Sequence, residues 1–226
     1  MVKIFSFCIY GEKKKYCQGL IENIKLIQNK YPDFEVHIVC SNNVPNDYVA
    51  QYIEYPNVKL NIVPHDGARL MAHRFFPINT EKLEYFFSRD ADSRINDRDD
   101  WCIKRFMESD KEFHIIRDHI HHGRRIMGGM FGVKGGFINH NISDAYIAWL
   151  EETKTTPDRY QADQDFLNDC IYPLVKDVAL IHTSFVHFTD EKCSPIVFPS
   201  DGTNFVGNVI DYDDDESEVF VFFKPI

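Results

Sequence analysis

The sequence predicts an α/β fold in which helices flank a mostly parallel sheet. Short apolar runs alternate along the chain with segments whose apolar residues recur every three or four positions, as strands and amphipathic helices do. The 226 residues, of which 44% are hydrophobic, are enough for one domain with a sizeable core. Strands and helices that alternate in this way form a doubly wound sheet, and such sheets bind ligands at the carboxyl ends of the strands.

The first half of the chain carries this alternation most clearly. The first strand is predicted at Val2–Ile9, and the helix after it ends at Pro32-Asp33. One face of this helix carries Cys17, Leu20, Ile24, Ile27 and Tyr31. The next predicted elements are a strand at Phe34–Cys40, a short helix at Asn46–Ile53, a strand at Val58–Val63, a helix at Ala68–Phe76 and a strand at Leu83–Phe87.

The second half is less regular, but it has no repeat, low-complexity tract or obvious linker, so we expect one domain over residues 1–226. The acidic run Asp211–Glu218 is expected as a solvated loop before a short final strand. The other predicted elements are a helix at Asp97–Glu108, a strand at Phe113–Arg117, a glycine- and histidine-rich stretch at His119–Gly136, helices at Ile142–Glu151 and Ala162–Tyr172, and a strand at Val178–Ile181.

Composition and charge argue against several classes of function. The formal net charge of −10 is unlike that of a nucleic-acid-binding surface, which needs a basic patch. No apolar run approaches the ~20 residues of a transmembrane segment, and the first run is too short for a signal peptide. The six cysteines are scattered without a Cys-x-x-Cys pair, which favours a reduced, cytoplasmic protein. An acidic protein that binds a diphosphate needs local positive charge, from a metal ion or from basic side chains.

Two carboxylates one residue apart, Asp90 and Asp92, follow the apolar run Leu83–Phe87. Alternate side chains of an extended segment lie on one face, so both carboxylates are expected to point the same way. Two oxygen ligands at the carboxyl end of a buried strand form half of a divalent-metal site, whose other positions are left for water and substrate phosphates. The alternative is a solvated loop, or a cap supplied by Asp92 or Ser93 for the next helix.

Two further segments are candidates for the same cleft. The stretch Ile126–Gly136 is dense in glycine, which permits close approach of the backbone to a sugar or phosphate; a sharp turn or a bulged strand is the alternative. Its pattern is neither a P-loop nor a dinucleotide fingerprint. Asp163, near the start of an amphipathic helix, is expected to project into a cleft. For Asp165 the alternative to a role in the site is that it only stabilises the amino terminus of this helix.

Histidines supply candidates for a third metal ligand. His182 ends the apolar run Val178–Ile181, which repeats the arrangement of the aspartate pair, and His187 is its rival. The spacing of the histidines between 114 and 122 fits no zinc motif, so most of them are expected as polar loop residues. Arg117-Asp118-His119 follows a predicted strand and is expected beside the cleft.

The order of these motifs resembles that of GT-A glycosyltransferases, which transfer a sugar from a nucleotide donor with an Asp-x-Asp metal site. The chain is most similar to small bacterial and large-virus enzymes with Arg-Asp-x-Asp-Ser-Arg, and more distantly to the family 8 galactosyltransferase and glycogenin group. The glycogenin-type ending His-Tyr-x-Gly-x-x-Lys-Pro-Trp is absent, and His182-Thr183-Ser184-Phe185 stands in its place. The resemblance covers nearly the whole chain and is carried, in order, by Tyr10-Gly11, Lys15-Tyr16, His73–Ile78, Arg89–Arg94, the Gly-Gly-Met-x-Gly loop, Asp163–Asn168 and the strand that ends in His182.

The resemblance implies a single GT-A (Rossmann-like) domain, with a nucleotide-binding half at 1–95 and an acceptor-binding half at 96–226. Asp90 and Asp92 would hold Mn²⁺ or Mg²⁺ as the cofactor, with His182 as the third protein ligand. Asp163 and Gln164 would lie beside the reacting carbon. Donor-binding roles fall to Tyr10, Arg74, Arg89, Asp90, Ala91, Asp92, Gly128 and Gly129.

The function implied by the resemblance is metal-dependent transfer of a sugar from a nucleotide-diphosphate sugar, above all a UDP-sugar, to a hydroxyl of a glycan or another acceptor. Asp163 would act as the base in an inverting reaction, or its region would stabilise an oxocarbenium-like state in a retaining one. Two alternatives stay open. A nucleotidyltransferase would need a glycine-rich, lysine-containing loop, to which Tyr10–Lys15 has a faint likeness. A sugar-binding module of the same fold would have no need of the aspartate pair.

Overall fold

Eight strands, drawn from both halves of the chain, form one sheet. The structure is a computed structural model that describes residues 1–64, 67–198, 204–213 and 217–220. The strands are β1 Val2–Ile9, β2 Glu35–Ser41, β3 Val58–Val63, β4 Leu83–Arg89, β5 Phe113–Arg117, β6 Met130–Lys134, β7 Ala179–Thr183 and β8 Cys193–Pro195. Their order across the sheet is β3-β2-β1-β4-β6-β5-β7-β8.

Within this sheet, β6 alone among the described strands runs antiparallel to its neighbours, β4 and β5. The other seven strands therefore end at the same edge, which we call the carboxyl edge. Since Arg89 at the end of β4 pairs with Met130 at the start of β6, the turn before β6 also lies at this edge. Ligands of parallel sheets bind at such an edge.

Helical segments cover both faces of the sheet. They are α1 Lys14–Lys30, α2 Asn46–Ile53, a 3₁₀ segment Gly67–Asn79, α3 Asp97–Glu108, α4 Ile142–Thr153, α5 Ala162–Phe166, a π turn Leu167–Ile171 and α6 Tyr172–Val175. A separate hairpin pairs β9 Ile210–Tyr212 with β10 Glu218–Phe220. None of the helices in the described ranges is long and apolar enough to cross a membrane.

Alternation along β1 divides the apolar core into two layers. Phe5 and Phe7 face the layer that contains residues of α1, α2 and α3, whereas Ile4 faces the layer that contains the 3₁₀ segment, α4 and α5. Burying a large apolar side chain stabilises the fold by about 1.5–3 kcal/mol, so both layers hold the sheet in place. The same alternation on β4 sends Phe86 to the second layer and Phe87 to the first.

The predicted fold class is confirmed: the chain forms one α/β domain with a mostly parallel central sheet. Most predicted strands and helices are confirmed to within two residues. The predicted helix at Ala68–Phe76 is a longer 3₁₀ segment that contains Pro77, which lacks the N–H of a regular helix. The division of the domain at residue 95 stays a prediction.

Two other segments contain strands: the acidic run, which was predicted as a loop, and the glycine-rich stretch, for which a sharp turn or a bulged strand was the alternative. The glycine-rich stretch contains β6, which is short and has a glycine at its centre, so it lacks a strong strand pattern. The acidic run is partly strand, because Tyr212 pairs with Glu218, while residues 214–216 lie outside the described ranges.

The helix α3 is capped by Asn96, whose side chain accepts a hydrogen bond from the amide of Asp99. Neither Asp92 nor Ser93 is needed as a cap.

A buried pair of histidines joins β5 to β7. His114 Nε2 and His182 Nδ1 lie 2.8 Å apart, and both side chains are buried. The ring of Phe106 stacks on His114, and that of Trp101 packs on His182 at 5.2 Å between centroids. Burial lowers the pKa of His182 to about 4 and holds that of His114 well below its usual range.

Because of this pair, we expect the free energy of unfolding to fall in acid. In the unfolded chain a histidine has a pKa of about 6.5, so below that pH the unfolded state binds more protons than the folded one. The folded state, which keeps both rings neutral, therefore has its full stability above the unfolded pKa and loses stability as the pH falls towards 4. For His182 a folded pKa of about 4 corresponds to a loss of about 2 kcal/mol in the free energy of unfolding between pH 7 and pH 4.5. Urea denaturation at the two pH values measures it.

Two variants separate this effect from general acid denaturation. His182→Asn removes the titrating ring, so it should lose less stability than the wild type over the same pH interval. His187→Asn, at an exposed histidine, should keep the wild-type pH dependence. Equal pH dependence of all three proteins would contradict the assignment to the buried pair.

Candidate active site

A cleft of about 450 Å³ opens at the carboxyl edge of the sheet. Its size is typical of a small-molecule site. Seven segments line it: the end of β1, the first turn of α1, the 3₁₀ segment, the turn after β4, the loop after β5 with the turn before β6, the start of α5, and residues 205–209. Strand ends and loops meet here because the parallel strands finish at one level.

Asp90 and Asp92 lie in the turn that follows β4, and both line the cleft. Ser93 Oγ donates to the carbonyl of Asp90 (3.2 Å), and Asn23 of α1 donates through its side-chain amide to the carbonyl of Ser93 (2.7 Å). The backbone of the turn is thus fixed against α1. Burial, together with the nearby charge of Asp90, raises the pKa of Asp92 to about 6.

Arg74 joins two of the cleft carboxylates. Its guanidinium is 3% exposed and donates to Asp90 Oδ1 and, at 3.2 Å, to Asp163 Oδ2. Burial would lower the pKa of Arg74, but Asp90, Cys8 and Asp163 raise it, so the guanidinium stays charged. Burial raises the pKa of Asp163, and Arg74 opposes that shift. The three side chains form one buried ionic group.

The turn before β6 packs directly on this ionic group. Ser88 Oγ donates to the carbonyl of Gly128 at 2.6 Å and fixes the turn. A Cβ atom at Gly129 would lie 2.0 Å from Asp90 Oδ2, and one at Gly128 would lie 2.4 Å from Arg74 Nη2. A side chain at either position would occupy the space of the charged groups. Glycine is therefore required here for close approach to the Asp90 and Arg74 side chains. Close approach of this backbone to a sugar or phosphate stays a prediction.

Nine of the eleven predicted site residues line the cleft together. Gln164 is one of them, and its side-chain oxygen is buried without a hydrogen-bond partner among the described residues. An unpaired buried acceptor is costly, so this oxygen is suited to accept a hydrogen bond from a ligand. The nine residues are Tyr10, Arg74, Asp90, Ala91, Asp92, Gly128, Gly129, Asp163 and Gln164.

Arg89 does not lie in the cleft, in contrast to its predicted donor-binding role. Its guanidinium forms two hydrogen bonds with Asp99 of α3, at 2.7 and 2.8 Å, and both side chains are buried. A third nitrogen donates to the carbonyls of Ser88 and Phe131. Since β4 extends through Arg89, alternation places this side chain on the face opposite to that of Asp90.

His182 also lies apart from the aspartate pair, in contrast to its predicted role as third metal ligand. It is held by His114 and Trp101 on the α3 side of the sheet. Ile181, its neighbour on β7, faces the other layer of the core, so alternation turns His182 away from it. Its rival His187 is exposed and does not line the cleft.

Several cleft residues were not predicted as such. Most of them come from loops, where no periodicity tells which side chains point inwards, whereas Tyr16 lies in α1 and Met71 lies in the 3₁₀ segment. His119 was expected beside the cleft because it follows a strand. Of the predicted neighbours of His119, Asp118 is buried against Arg98 instead. The residues that the sequence did not single out as ligand contacts include Tyr16, Met71, His121, His122, Tyr160, Gln161 and Phe205.

The aspartate pair fits two of the positions around a divalent cation. Asp90 and Asp92 supply oxygen atoms of the kind that Mg²⁺ and Mn²⁺ prefer. Burial and the charge of Asp90 raise the pKa of Asp92, and a cation would offset the second of these effects. Within the described ranges no three His, Cys, Asp or Glu side chains are gathered as a ligand set. The remaining positions would then belong to water and to the ligand, as is usual for Mg²⁺.

The fold is that of GT-A glycosyltransferases. The galactosyltransferase LgtC, in complex with donor and acceptor sugar analogues, matches with a TM-score of 0.54 over 79% of this chain and 73% of its own, at 14% identity. A glycosyltransferase involved in glycosylation of the major capsid of PBCV-1 has a TM-score of 0.52 over 81% of this chain and 82% of its own, at 12% identity. GlyE of Streptococcus pneumoniae TIGR4 has a TM-score of 0.52 over 80% of this chain and 45% of its own, at 14% identity. No protein-family model and no curated protein matches the sequence.

Gly129→Ala tests the close packing of the turn on Asp90. The added Cβ must displace the Asp90 carboxylate from Arg74 or move the turn, so we expect the free energy of unfolding to fall by about 1–3 kcal/mol. Gly123→Ala is the matched control, because a Cβ there meets no atom of the described residues within 4 Å. Urea denaturation measures both, and equal stability of the two variants would contradict the packing described here.

Arg89→Ala tests whether Arg89 stabilises the fold rather than a ligand. It leaves Asp99 buried and unpaired, which costs about 3–5 kcal/mol. The double variant Arg89→Met with Asp99→Leu removes both charges and should recover most of this loss. If Arg89→Ala instead keeps its stability and loses nucleotide binding in calorimetry, Arg89 contacts the ligand.

Proposed function

We propose that the protein is a metal-dependent glycosyltransferase that moves a sugar from a nucleotide-diphosphate sugar, above all a UDP-sugar, to an acceptor hydroxyl. The observation that carries the proposal is the position of Asp90 and Asp92 at the carboxyl edge of β4, in one cleft with Arg74 and Asp163. The GT-A fold supports it, and one protein of similar fold was studied with donor and acceptor sugar analogues.

The charge of the cleft supports a metal requirement. Among the described lining residues, Asp90, Asp92 and Asp163 are acidic, whereas Arg74 is the one lysine or arginine. A diphosphate would be repelled by this excess of negative charge. Asp90 and Asp92 would hold Mn²⁺ or Mg²⁺, which offsets the charge that develops on a leaving nucleoside diphosphate.

Two side chains of α5, Asp163 and Gln164, would act on the sugar and the acceptor. Arg74 holds Asp163 at the cleft wall. Burial raises the pKa of Asp163 above its usual value, and Arg74 opposes that shift. In an inverting reaction Asp163 would accept the proton of the acceptor hydroxyl, and in a retaining one it would stabilise positive charge on the sugar. The unpartnered oxygen of Gln164 would accept a hydrogen bond from a sugar hydroxyl.

A reducing compartment suits this protein. All six cysteines are free, and Cys8 lines the cleft with a thiol whose pKa burial raises to about 12. A thiol of high pKa is a poor nucleophile, so Cys8 has no part in the proposed chemistry. We propose a cytoplasmic location on this basis.

Asp92→Asn tests the metal and donor site. Loss of one carboxylate should weaken Mn²⁺-dependent binding of UDP at least about tenfold, since even partners outside the ligand shell change metal affinity by that much. Stability should stay the same or rise, because burial and Asp90 both disfavour the charged form of Asp92. Isothermal calorimetry with and without Mn²⁺ and thermal unfolding measure the two effects.

The control is Asp110→Asn, at an exposed carboxylate before β5 and thus at the opposite edge of the sheet. It should bind UDP, UDP-glucose and UDP-galactose as the wild type does. A wild type that binds none of the UDP ligands and no other nucleotide sugar with Mn²⁺ would reject the proposed function. An unfolded Asp92→Asn variant would show that the pair is structural, and binding of nucleotide sugars without any transfer or hydrolysis would indicate a sugar-binding module.

A further inference from the structure

His122 is held in the cleft wall by its own loop. It is 7% exposed, and its Nδ1 accepts a hydrogen bond from the backbone amide of Asp118 at 3.0 Å. The position of Asp118 is fixed in turn, because its carboxylate accepts two hydrogen bonds from Arg98 and one from the amide of Val206. Loop and ring are therefore parts of one rigid arrangement.

This hydrogen bond determines where the ring carries its proton. A ring nitrogen that accepts from an N–H has its lone pair directed at that donor, so the neutral ring of His122 carries its proton on Nε2. The neighbouring ring of His119 follows the same rule, since its Nδ1 accepts from the amide of His121 at 3.3 Å. Phe205 stacks on His119 at 4.2 Å between centroids and meets His122 edge-on at 5.7 Å, which holds both rings.

The ring of His122 is uncharged at neutral pH. Burial lowers its pKa to about 4, with further lowering by His119 and His121, while Asp118 and Asp90 act in the opposite direction. An uncharged N–H group attracts a phosphate less than a cation does, and the guanidinium of Arg74 is already paired with two carboxylates. This part of the wall also contains apolar side chains, Met127, Met130 and Phe205. Apolar surface beside a fixed neutral donor suits a sugar better than a diphosphate.

We infer that His122 is a fixed, uncharged Nε2–H donor to a hydroxyl oxygen of a bound sugar, and that it selects the sugar rather than holding the metal. A metal bond to Nε2 would need the other tautomer, in which Nδ1–H would face the amide N–H of Asp118. The inference rests on the proposed function. The hydroxyl belongs either to the sugar of the nucleotide donor or to the acceptor, and the experiment distinguishes the two.

The test compares His122→Gln, whose amide nitrogen replaces the Nε2–H donor, with His122→Phe, which keeps a ring and has no donor. Calorimetry with Mn²⁺ gives the affinity of each protein for UDP, UDP-glucose and UDP-galactose. Saturation-transfer NMR with methyl glucoside and methyl galactoside, on protein loaded with UDP and Mn²⁺, examines the acceptor side. Thermal unfolding confirms that each variant is folded.

We expect His122→Phe to lose about three- to tenfold in affinity for the sugar, the size of one hydrogen bond. The loss should fall on the UDP-sugars relative to UDP if the donor sugar is bound, or on the methyl glycosides if the acceptor is bound. His122→Gln should stay within about twofold of the wild type, and the affinity of both variants for UDP and Mn²⁺ should be unchanged. A loss of Mn²⁺ or UDP affinity would overturn the inference, as would a His122→Phe variant equal to the wild type in every arm.

The tautomer is tested without any ligand. Long-range ¹H–¹⁵N correlation spectra of the histidine rings at neutral pH should show an unprotonated Nδ1 and a protonated Nε2 for His122, assigned by its loss in both variants. A protonated Nδ1 would overturn the inference even if the sugar arms agreed. If the wild type binds no UDP ligand while the ring has the expected tautomer, the proposed function fails and the geometry of His122 stands.

Discussion

The ionic group of Arg74, Asp90 and Asp163 is the interaction on which the candidate site depends. A buried guanidinium loses several kcal/mol of hydration free energy, which is offset here by two carboxylates from segments far apart in the chain. Arg74 comes from the 3₁₀ segment, Asp90 from the turn after β4 and Asp163 from the start of α5. One charged side chain thereby holds Asp90, of the proposed metal-binding pair, and Asp163, the proposed catalytic residue, in fixed positions relative to each other.

The surrounding backbone is fixed to keep this group in place. Ser6 of β1 donates through its hydroxyl to the carbonyl of Arg74 at 2.7 Å, and Ser88 of β4 does the same for Gly128. Both serines are fully buried and point to the face of the sheet that carries the cleft. The sheet therefore determines the position of the ionic group through backbone atoms, while the glycines before β6 leave it the space it needs.

The sequence predicted the sheet and the aspartate pair because both depend on local patterns. Apolar runs and three- or four-residue spacing gave the strands and helices, and the end of the β4 run placed Asp90 at the carboxyl edge. A sequence motif does not tell on which face of a strand a side chain lies. Arg89 is next to Asp90 in the sequence, but strand alternation places it on the opposite face of the sheet, where it binds Asp99. His182 failed for a related reason, since only the packing of Ile181 reveals which face its neighbour takes. The histidines at 119, 121 and 122 lie in a loop, which lacks the regular spacing that would tell which side chains face the cleft.

The charge balance of the cleft links these observations to the proposed reaction. The described lining contains three carboxylates, and Arg74 is its one lysine or arginine. Arg74 already forms ion pairs with two of the three carboxylates. Arg74 forms no ion pair with Asp92 among the described residues. Burial and the charge of Asp90 raise the pKa of Asp92 to about 6, although Lys15 and Arg74 act in the opposite direction. A divalent cation held by Asp90 and Asp92 would offset the repulsion between them and would supply positive charge to bind a diphosphate. We therefore expect each of the two, the cation and the diphosphate of the donor, to bind more tightly when the other is present, because their charges neutralise each other.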